Sequence, residues 1–371
     1  MKQRRIGAII ISACMLMGIL AGCHRTNTNT PGLQTQNIDS TEVSEMIEIL
    51  YPDESIRELE PGLSMVAFEG NDGFAEFLAQ GGASSDSDVI SFLVNRLGDD
   101  VLGLLFGSNP FGCSTLTTTG ENGEALFGRN FDWNTCEALI ILSSPEDAYA
   151  SISTVNRDFI NQSGVPVGRL PDQIQALVSL YAPLDGMNEE GLAVSVNMIQ
   201  DSATIDQNTE KPDITTTTAL RLLLNQAANV EEALELLNQY DMHSSMGMMI
   251  HFAIADQDGR SVVVEYVSNE MIVTETPIVT NFYLAEGEKY GIGTQQSHTR
   301  YEILENLLSQ KDIFTIDDMR DALSSVSKHN FGEFESTEWS IVYDQTAGVA
   351  RYYHRENYEN SYMFQIGGAE K

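Results

Sequence analysis

The chain has 371 residues, 42% of them hydrophobic, and a formal net charge of −34 at pH 7. Such an acidic surface repels phosphates and anionic lipid headgroups, which excludes the usual basic nucleic-acid-binding proteins. The length suffices for one large domain with an appended segment, and four cysteines are too few for a disulfide scaffold.

The N-terminus has the features of an export signal. Residues 1–5 are basic, and residues 6–20 form an apolar run that is short for a membrane span. Residues 20–23, Leu-Ala-Gly-Cys, resemble a bacterial lipobox, which predicts a lipoprotein signal peptide over residues 1–22 and lipid on Cys23. An ordinary secretory signal cleaved nearby is the alternative. We therefore expect an extracytoplasmic lipoprotein that Cys23 anchors to the cell membrane.

Residues 23–44 are rich in Thr, Asn, Gln and Ser, a composition that predicts a flexible tether. We expect ordered structure from residue 45 onward. Residues 45–112 form a segment that precedes Cys113. Apolar spacing and capping residues predict its elements. They are a helix at 45–50, a strand at 63–68 and helices at 72–78 and 86–97, the last capped within the Ser/Asp cluster 84–86.

A predicted β-hairpin contains the residues with the clearest chemical meaning. Cys113 opens a strand-like run, Asn122 and Gly123 supply a tight turn, and residues 124–131 form the second strand. The hairpin returns Arg129 and Asp132 to the neighbourhood of the thiol. A nearby cation lowers the pKa of a cysteine, and the thiolate is its reactive form, so the pattern indicates a nucleophile. A merely buried cysteine is the alternative.

Cys113, followed after the hairpin by residues 128–133, Gly-Arg-Asn-Phe-Asp-Trp, resembles the opening of the choloylglycine hydrolase family. That family includes bile salt hydrolases and penicillin V acylases and belongs to the N-terminal nucleophile (Ntn) hydrolases. Its cysteine is the first residue of the mature chain, whereas Cys113 is internal. The long leading segment is similar to the precursors of acid ceramidase and N-acylethanolamine acid amidase.

The resemblance therefore implies self-cleavage at the Gly112–Cys113 bond. Gly112 has no side chain to hinder attack by the thiol and tolerates strained backbone. Cleavage would free the α-amino group of Cys113, and an α-amino pKa of about 7.7–8.0 suits a base that works near neutral pH. Residues 113–371 would then be the Ntn hydrolase catalytic domain.

Further elements are predicted after the hairpin by apolar periodicity and turn residues. They are strands at 139–142 and 192–199, extended or turn-rich segments at 165–170 and 178–183, a turn at 187–191, a loop at 201–213, helices at 217–228, 230–240, 299–308 and 316–326, and hairpins at 251–265 and 339–353. Paired strands separated by helices indicate an α+β fold of antiparallel sheets. The resemblance implies the four-layer αββα sandwich of Ntn hydrolases.

The resemblance also assigns roles to other residues. Arg129 would contact substrate beside the thiol, and Asp132 would accept a hydrogen bond from the free α-amino group. Asn197 and Asn281 would form the oxyanion hole, and Arg300 would support the charges of the site. A buried strand-end asparagine that satisfies backbone groups, and a solvated arginine on a helix face, are the alternatives. No metal-ligand spacing occurs, and neither a metal nor a cofactor is expected.

These observations predict an exported, lipid-anchored cysteine amidohydrolase. It would cleave linear C–N amide bonds of N-acylated small molecules through an acyl-thioester on Cys113. A bile salt hydrolase, a Cys-His hydrolase of the papain type and a non-catalytic lipoprotein that binds amphiphiles are the alternatives. A Cys113–Cys136 disulfide is disfavoured because it would abolish the proposed chemistry.

The predicted partners are a substrate, a membrane and a second subunit. The substrate is a small N-acyl amide, nucleic acid is not bound, and the membrane is reached through lipid on Cys23. The small subunit, residues 23–112, would stay associated with the large one noncovalently and contribute the strand at 63–68.

Overall fold

The structure, a computed structural model, describes residues 48–98, 112–160, 167–287, 292–329 and 335–367. The predicted signal peptide, Cys23, the tether and residues 45–47 of the predicted first helix lie outside these ranges. The described residues belong to one compact unit, Met46–Lys371. None of its described helices is both long and apolar enough to cross a membrane.

Runs of consecutive strands are separated by helices along the described chain. The strands are β1 (Ile49–Leu50), β2 (Arg57–Glu60), β3 (Leu63–Gly70), β4 (Gly112–Gly120), β5 (Ala125–Trp133), β6 (Ala138–Pro145), β7 (Ser151–Asn156), β8 (Asp185–Asn188), β9 (Ala193–Met198), β10 (Asp213–Thr215), β11 (Asp241–His243), β12 (Ile250–Ala255), β13 (Ser261–Val267), β14 (Glu270–Glu275), β15 (Ile278–Val279), β16 (Ile313–Phe314), β17 (Ser336–Asp344), β18 (Val349–His354) and β19 (Tyr362–Gln365). The helices are α1 (Phe74–Ala79), α2 (Asp86–Leu97), α3 (Arg157–Ile160), α4 (Asp172–Leu180), α5 (Thr216–Gln226), α6 (Val230–Leu237), α7 (Gln295–Gln310) and α8 (Ile316–Ser325).

Seventeen of the described strands form two large sheets, and β10 and β11 pair with each other in a small separate sheet. The first has the order β1-β19-β18-β17-β5-β4-β15, with β16 also paired to β4. The second has the order β14-β13-β12-β9-β8-β7-β6-β3-β2. Most neighbours in both sheets are antiparallel, whereas β1 with β19, β3 with β6 and β16 with β4 are parallel.

Helices cover the outer face of each sheet. Helices α7 and α8 pack on the first sheet, α4 and α5 pack on the second, and β4 of the first sheet contacts β9 of the second. The order of layers is therefore helix, sheet, sheet, helix. This is the predicted α+β arrangement.

The two faces of the hairpin formed by β4 and β5 pack into different hydrophobic cores, because successive side chains of a strand point to opposite faces. Leu116 and Leu126 pack with Met319 and the rest of the apolar cluster beneath α7 and α8. Cys113 and Phe131 belong to the larger core that includes the space between the sheets. Since both faces are covered, β5 is buried along its whole length. The thiol of Cys113 is therefore directed between the two sheets.

The segment before Cys113 is integrated into the second sheet. Strand β3 pairs with β6 over its full length, and β2 pairs with β3 at the edge. The rings of Phe74 and Phe77 in α1 pack on Tyr181, and Phe92 in α2 joins them. The predicted strand at 63–68 is thus part of β3, which pairs with β6 in the second sheet.

Some sequence predictions are wrong. The predicted helix at 45–50 fails in its described part, because Ile49–Leu50 is a strand that pairs with β19. Residues 178–180 are not extended but form the end of α4, which begins at Asp172 and whose last six residues are all buried. The predicted turn at 187–191 begins inside strand β8, which runs to Asn188.

Candidate active site

Cys113 lies near the start of β4 and is fully buried. Its Sγ is 3.3 Å from Arg129 Nη2 and 3.8 Å from the carbonyl oxygen of Val196 on the facing sheet. Burial raises the pKa of the Cys113 thiol above its ordinary value, and the positive charge of Arg129 offsets this in part. In the continuous chain the thiol is therefore neutral at pH 7, and attack requires removal of its proton.

Arg129 is held by groups of the second sheet. Its Nη1 donates to Asp185 Oδ2 at 2.6 Å and also to the carbonyl of Leu184, and its Nη2 donates to the Val196 carbonyl at 2.8 Å. Burial lowers the pKa of Arg129, but its interactions with the Cys113 sulfur and with the Asp185 carboxylate outweigh burial and raise that pKa above its ordinary value. The guanidinium is therefore a fixed positive charge beside the thiol.

Asp185 is a site residue that sequence reasoning missed. It accepts hydrogen bonds from Trp339 Nε1 at 3.0 Å and Tyr343 Oη at 3.3 Å, in addition to the ion pair with Arg129. The local signal is weak, since Asp185 comes just after the segment 178–183, which is predicted to be extended or turn-rich. Only the packing of β8 against β5 and β17 reveals its role as the partner of Arg129.

Both backbone polar groups of Cys113 are hydrogen-bonded to side chains of other elements. Its N–H donates to Asn281 Oδ1 at 2.9 Å, and its carbonyl accepts from Arg300 Nη1 at 2.6 Å. Arg300 also donates to Asn281 Oδ1 at 2.7 Å and to Ser114 Oγ at 2.6 Å. Arg300 is only 4% exposed, which excludes a solvated arginine on a helix face. The structure thus brings Arg300 and Asn281 directly to Cys113.

Asp132 lies beside Gly112, its partner across the hairpin. Its Oδ1 accepts from Thr337 Oγ1 at 2.7 Å, and its Oδ2 is 3.2 Å from Arg300 Nη1. In the continuous chain Asn281 accepts the hydrogen bond of the Cys113 N–H. The predicted bond between Asp132 and a free α-amino group concerns the cleaved chain and stays a prediction.

The two asparagines are both buried near the thiol, and their amides bond protein groups in the continuous chain. Asn197 Nδ2 donates to Thr115 Oγ1 at 3.2 Å, and Asn281 Nδ2 donates to the Met198 carbonyl at 2.7 Å. Asn197 also follows Val196, whose carbonyl touches the thiol. The oxyanion-hole role of both residues stays a prediction.

His251 is the histidine opposite Asn197 in the second sheet. Its Nδ1 is 2.9 Å from Glu265 Oε1, and its Nε2 is 2.8 Å from the carbonyl oxygen of Thr280. Both ring nitrogens thus face oxygen atoms of the protein. Neither nitrogen is directed to Cys113, which argues against a Cys-His pair with this residue.

Cys113 and Cys136 are both free thiols, so no disulfide joins them.

Glu265 hydrogen-bonds the backbone just after Asn281 and so stabilises the position of that residue. It accepts from the backbone N–H groups of Leu284 at 3.0 Å and Ala285 at 2.6 Å. Burial raises the pKa of Glu265, but the hydrogen bond and charge of His251 and these two N–H groups lower it below its ordinary value. Because the folded-state pKa is depressed, the stabilisation is present above the unfolded-state pKa and is lost as the pH falls through the folded-state value.

The variant Glu265→Gln is expected to lose about 3–5 kcal/mol of unfolding free energy at pH 7, because it leaves the His251 ring buried without its carboxylate. Its stability should also depend less on pH in the acid range than that of the wild type. Denaturant unfolding between pH 3 and pH 7 measures both effects, with the exposed Glu270→Gln on the neighbouring strand as the matched control. If Glu265→Gln and Glu270→Gln were equally stable, the ion pair of Glu265 with His251 would not have the stabilising role assigned to it.

Comparison with known proteins provides independent evidence. Residues 174–359 match the family model of acyl-coenzyme A:6-aminopenicillanic acid acyl-transferase. The matched range contains Asn197, Asn281 and Arg300, whereas Cys113 and Arg129 precede it. No curated protein sequence matches the chain.

Solved structures match a larger part of the chain. Two variants of conjugated bile acid hydrolase from Clostridium perfringens superpose with TM-scores of 0.53 and 0.51, at 19% and 17% identity. The matches cover 70% and 68% of this chain and 93% and 92% of the hydrolase chains. A penicillin V acylase from Agrobacterium tumefaciens matches with a TM-score of 0.48 at 18% identity, over 65% of this chain and 83% of its own. The hydrolase matches confirm the predicted Ntn-hydrolase fold.

Proposed function

The chain belongs to the acyl-coenzyme A:6-aminopenicillanic acid acyl-transferase family, and we propose that it is an Ntn cysteine amidohydrolase. Its substrates are linear amides of N-acylated small molecules. The observation that carries the proposal is the contact between the buried Cys113 thiol and Arg129, 3.3 Å apart, next to a glycine. Asp185 pairs with Nη1 of Arg129, and Nη2 of the same guanidinium reaches the thiol, so a fixed positive charge is held where a thiolate would form. Family membership and the Ntn fold support the same reaction class.

The proposed cycle begins with cleavage of the Gly112–Cys113 bond. The freed α-amino group then takes the thiol proton, and the thiolate attacks the carbonyl carbon of the substrate amide. The amine leaves with a proton, the acyl group remains on sulfur as a thioester, and water releases the acid. Arg129 favours the thiolate, and the amides of Asn197 and Asn281 donate to the oxyanion after release from their present partners.

The proposed substrate class is tested with matched amides. Purified wild type and Cys113→Ala are incubated with fatty-acyl amino acids, phenoxyacetyl amides and glycine or taurine conjugates of bile acids, and with a dipeptide as the peptide-bond control. We expect release of the free acid by wild type alone, and an acyl adduct on Cys113 in the intact mass after rapid quenching. Preference for the bile acid conjugates would instead identify a bile salt hydrolase.

A chain that binds these compounds without turnover would support the non-catalytic alternative. In that case Cys113 would resist alkylation even after prolonged incubation with iodoacetamide. The proposal predicts the opposite for the matured enzyme, in which a rapid burst of alkylation accompanies the loss of activity.

We also propose that the protein is an exported lipoprotein with lipid on Cys23 and a tether over residues 23–44. Cleavage before Cys113 then leaves the lipid on the small subunit, and the β3–β6 pairing supports noncovalent retention of the large one. The test is fractionation of cells that express wild type or Cys23→Ala. Wild-type large subunit should sediment with membranes, and that of the variant should be released. Active wild-type large subunit free in the medium, with the lipidated fragment left behind, would contradict the proposal.

A further inference from the structure

Lys328 lies against the bond that the proposed maturation breaks. A Cβ atom added to Gly112 would stand 2.6 Å from Lys328 Nζ, so the ammonium group occupies the volume that a side chain would fill. One additional bond of about 1.5 Å puts Nζ at most about 4 Å from the Gly112 Cα. Lys328 has no role in the substrate cycle proposed for Cys113.

The position of Lys328 is fixed by its surroundings. The residue is only 6% exposed, whereas lysines are almost never buried without a partner. Its ammonium pairs with Glu335. Its backbone N–H donates to Thr337 Oγ1 at 2.8 Å, and that hydroxyl donates to Asp132 Oδ1 at 2.7 Å. Thr337 therefore ties Lys328 to Asp132, the hairpin partner of Gly112.

The charges at the two sides of the bond are different. Arg300 holds the Cys113 carbonyl, and Arg129 lies at the thiol, on the side of the nucleophile. Lys328 Nζ lies on the side of Gly112, together with the Asp132 carboxylate, whose Oδ2 stands 3.1 Å from the same Cβ position. The Gly112 carbonyl receives negative charge when the thiol attacks. We propose that the Lys328 ammonium stabilises the negative charge that develops on Gly112 during self-cleavage, and that it acts in maturation and not in later substrate turnover. This inference rests on the proposed function.

During self-cleavage the Cys113 thiol gives its proton to water, its sulfur bonds the Gly112 carbonyl carbon, and the carbonyl oxygen takes up the electron pair of the C–O π bond. When the adduct collapses, the C–O double bond re-forms, the C–N bond breaks, and the nitrogen takes a proton back from water to become the α-amino group. A second water then adds to the thioester carbonyl, and the C–S bond breaks. The sulfur keeps one proton of that water as a free thiol, the other proton passes to solvent, and a Gly112 carboxylate remains. The ammonium of Lys328 faces negative charge in the adduct and again in the carboxylate.

The test measures cleavage and turnover separately. Full-length wild type, Lys328→Met and Lys328→Arg are pulse-labelled, and the cut fraction is followed by intact mass. We expect the cleavage rate of Lys328→Met to fall by about 10- to 100-fold, as for loss of one preorganised charge-stabilising group. Lys328→Arg should recover most of the rate because it keeps the charge. The kcat for amide hydrolysis per cleaved molecule should equal that of wild type in both variants.

Three controls remove a purely structural explanation. Lys311→Met deletes an exposed lysine that pairs with Asp318 and should cleave at the wild-type rate. Glu335→Gln keeps the Lys328 charge and should cleave within a few-fold of wild type. The thermal midpoint of each uncut chain, in the Cys113→Ala background, reports whether the variant folds. If Lys328→Met does not fold, Lys328→Gln replaces it as the neutral variant, and Glu335→Gln reports the effect of losing the ion pair alone.

The outcomes discriminate between the two proposals. A wild-type chain that remains uncut overturns both the maturation and the role of Lys328. A wild-type chain that is cut, with Lys328→Met cut equally fast, overturns the role of Lys328 alone. The same holds if Glu335→Gln is as slow as Lys328→Met, or if Lys328→Met loses kcat after it has been cut.

Discussion

The variant Cys113→Ala is expected to remain a single uncut chain and to lose amide hydrolysis by about 10⁶-fold, down to background. The same sulfur attacks Gly112 during maturation and the substrate afterwards, so one substitution removes both reactions. The fold should persist, because alanine replaces a buried neutral thiol in a packed position. Intact mass and the initial rate of acid release measure the two losses on one preparation.

Cys136→Ala is the matched control for this variant. Cys136 is also a buried free thiol, and burial together with the charge of Glu338 raises its pKa well above the ordinary value. It contacts neither Arg129 nor the Gly112–Cys113 bond in the described structure. The control should therefore be cut and active at the wild-type rate. Loss of cleavage in Cys136→Ala, or its retention in Cys113→Ala, would contradict the assignment of the nucleophile.

The variant Arg129→Met is expected to lose about 10²- to 10³-fold in kcat, since it removes the fixed charge beside the thiol. It should also lose about 3–5 kcal/mol of unfolding free energy, because Asp185 stays buried without its cation. Denaturant unfolding of the Cys113→Ala background measures the stability, and steady-state kinetics of the cut enzyme measure the activity.

A double variant separates the two effects. Arg129→Met combined with Asp185→Asn removes both charges and leaves a neutral amide at position 185, within reach of Trp339 and Tyr343. Stability should be largely recovered, as for buried pairs replaced together, whereas kcat should stay low. Recovery of kcat along with stability would mean that Arg129 is needed for folding and not for the chemistry.

The central hairpin could be predicted because its signals are local. Asn122 and Gly123 define the turn, with Gly123 at φ 88°, and the alternating strands on either side fix the register. The register then brings Arg129 and Asp132 back to Cys113, as expected. Asn281 and Arg300 were found through the family resemblance, and their contacts with Cys113 depend on strands and a helix more than 160 residues away in the chain.

Other features could not be read from the sequence because they depend on tertiary packing. Helix α4 is buried over its last six residues, so its packing partners and not a solvent-facing side define that part of the helix. Asp185, Glu265 and Lys328 acquire meaning only through partners on distant elements: Arg129, the segment that carries Asn281, and Gly112. A carboxylate or an ammonium in an isolated strand or loop is ordinarily a solvated group, so no local pattern distinguishes these residues.

The central claim is that Cys113 becomes the N-terminal residue of the catalytic chain. Intact mass and N-terminal sequencing of the purified protein, wild type beside Cys113→Ala, test it most directly. The account predicts a wild-type fragment that begins at Cys113 and is absent from the variant. A single uncut wild-type chain that nevertheless hydrolyses the amide substrates would contradict it, because the base would then have to be a group other than the α-amino group of Cys113.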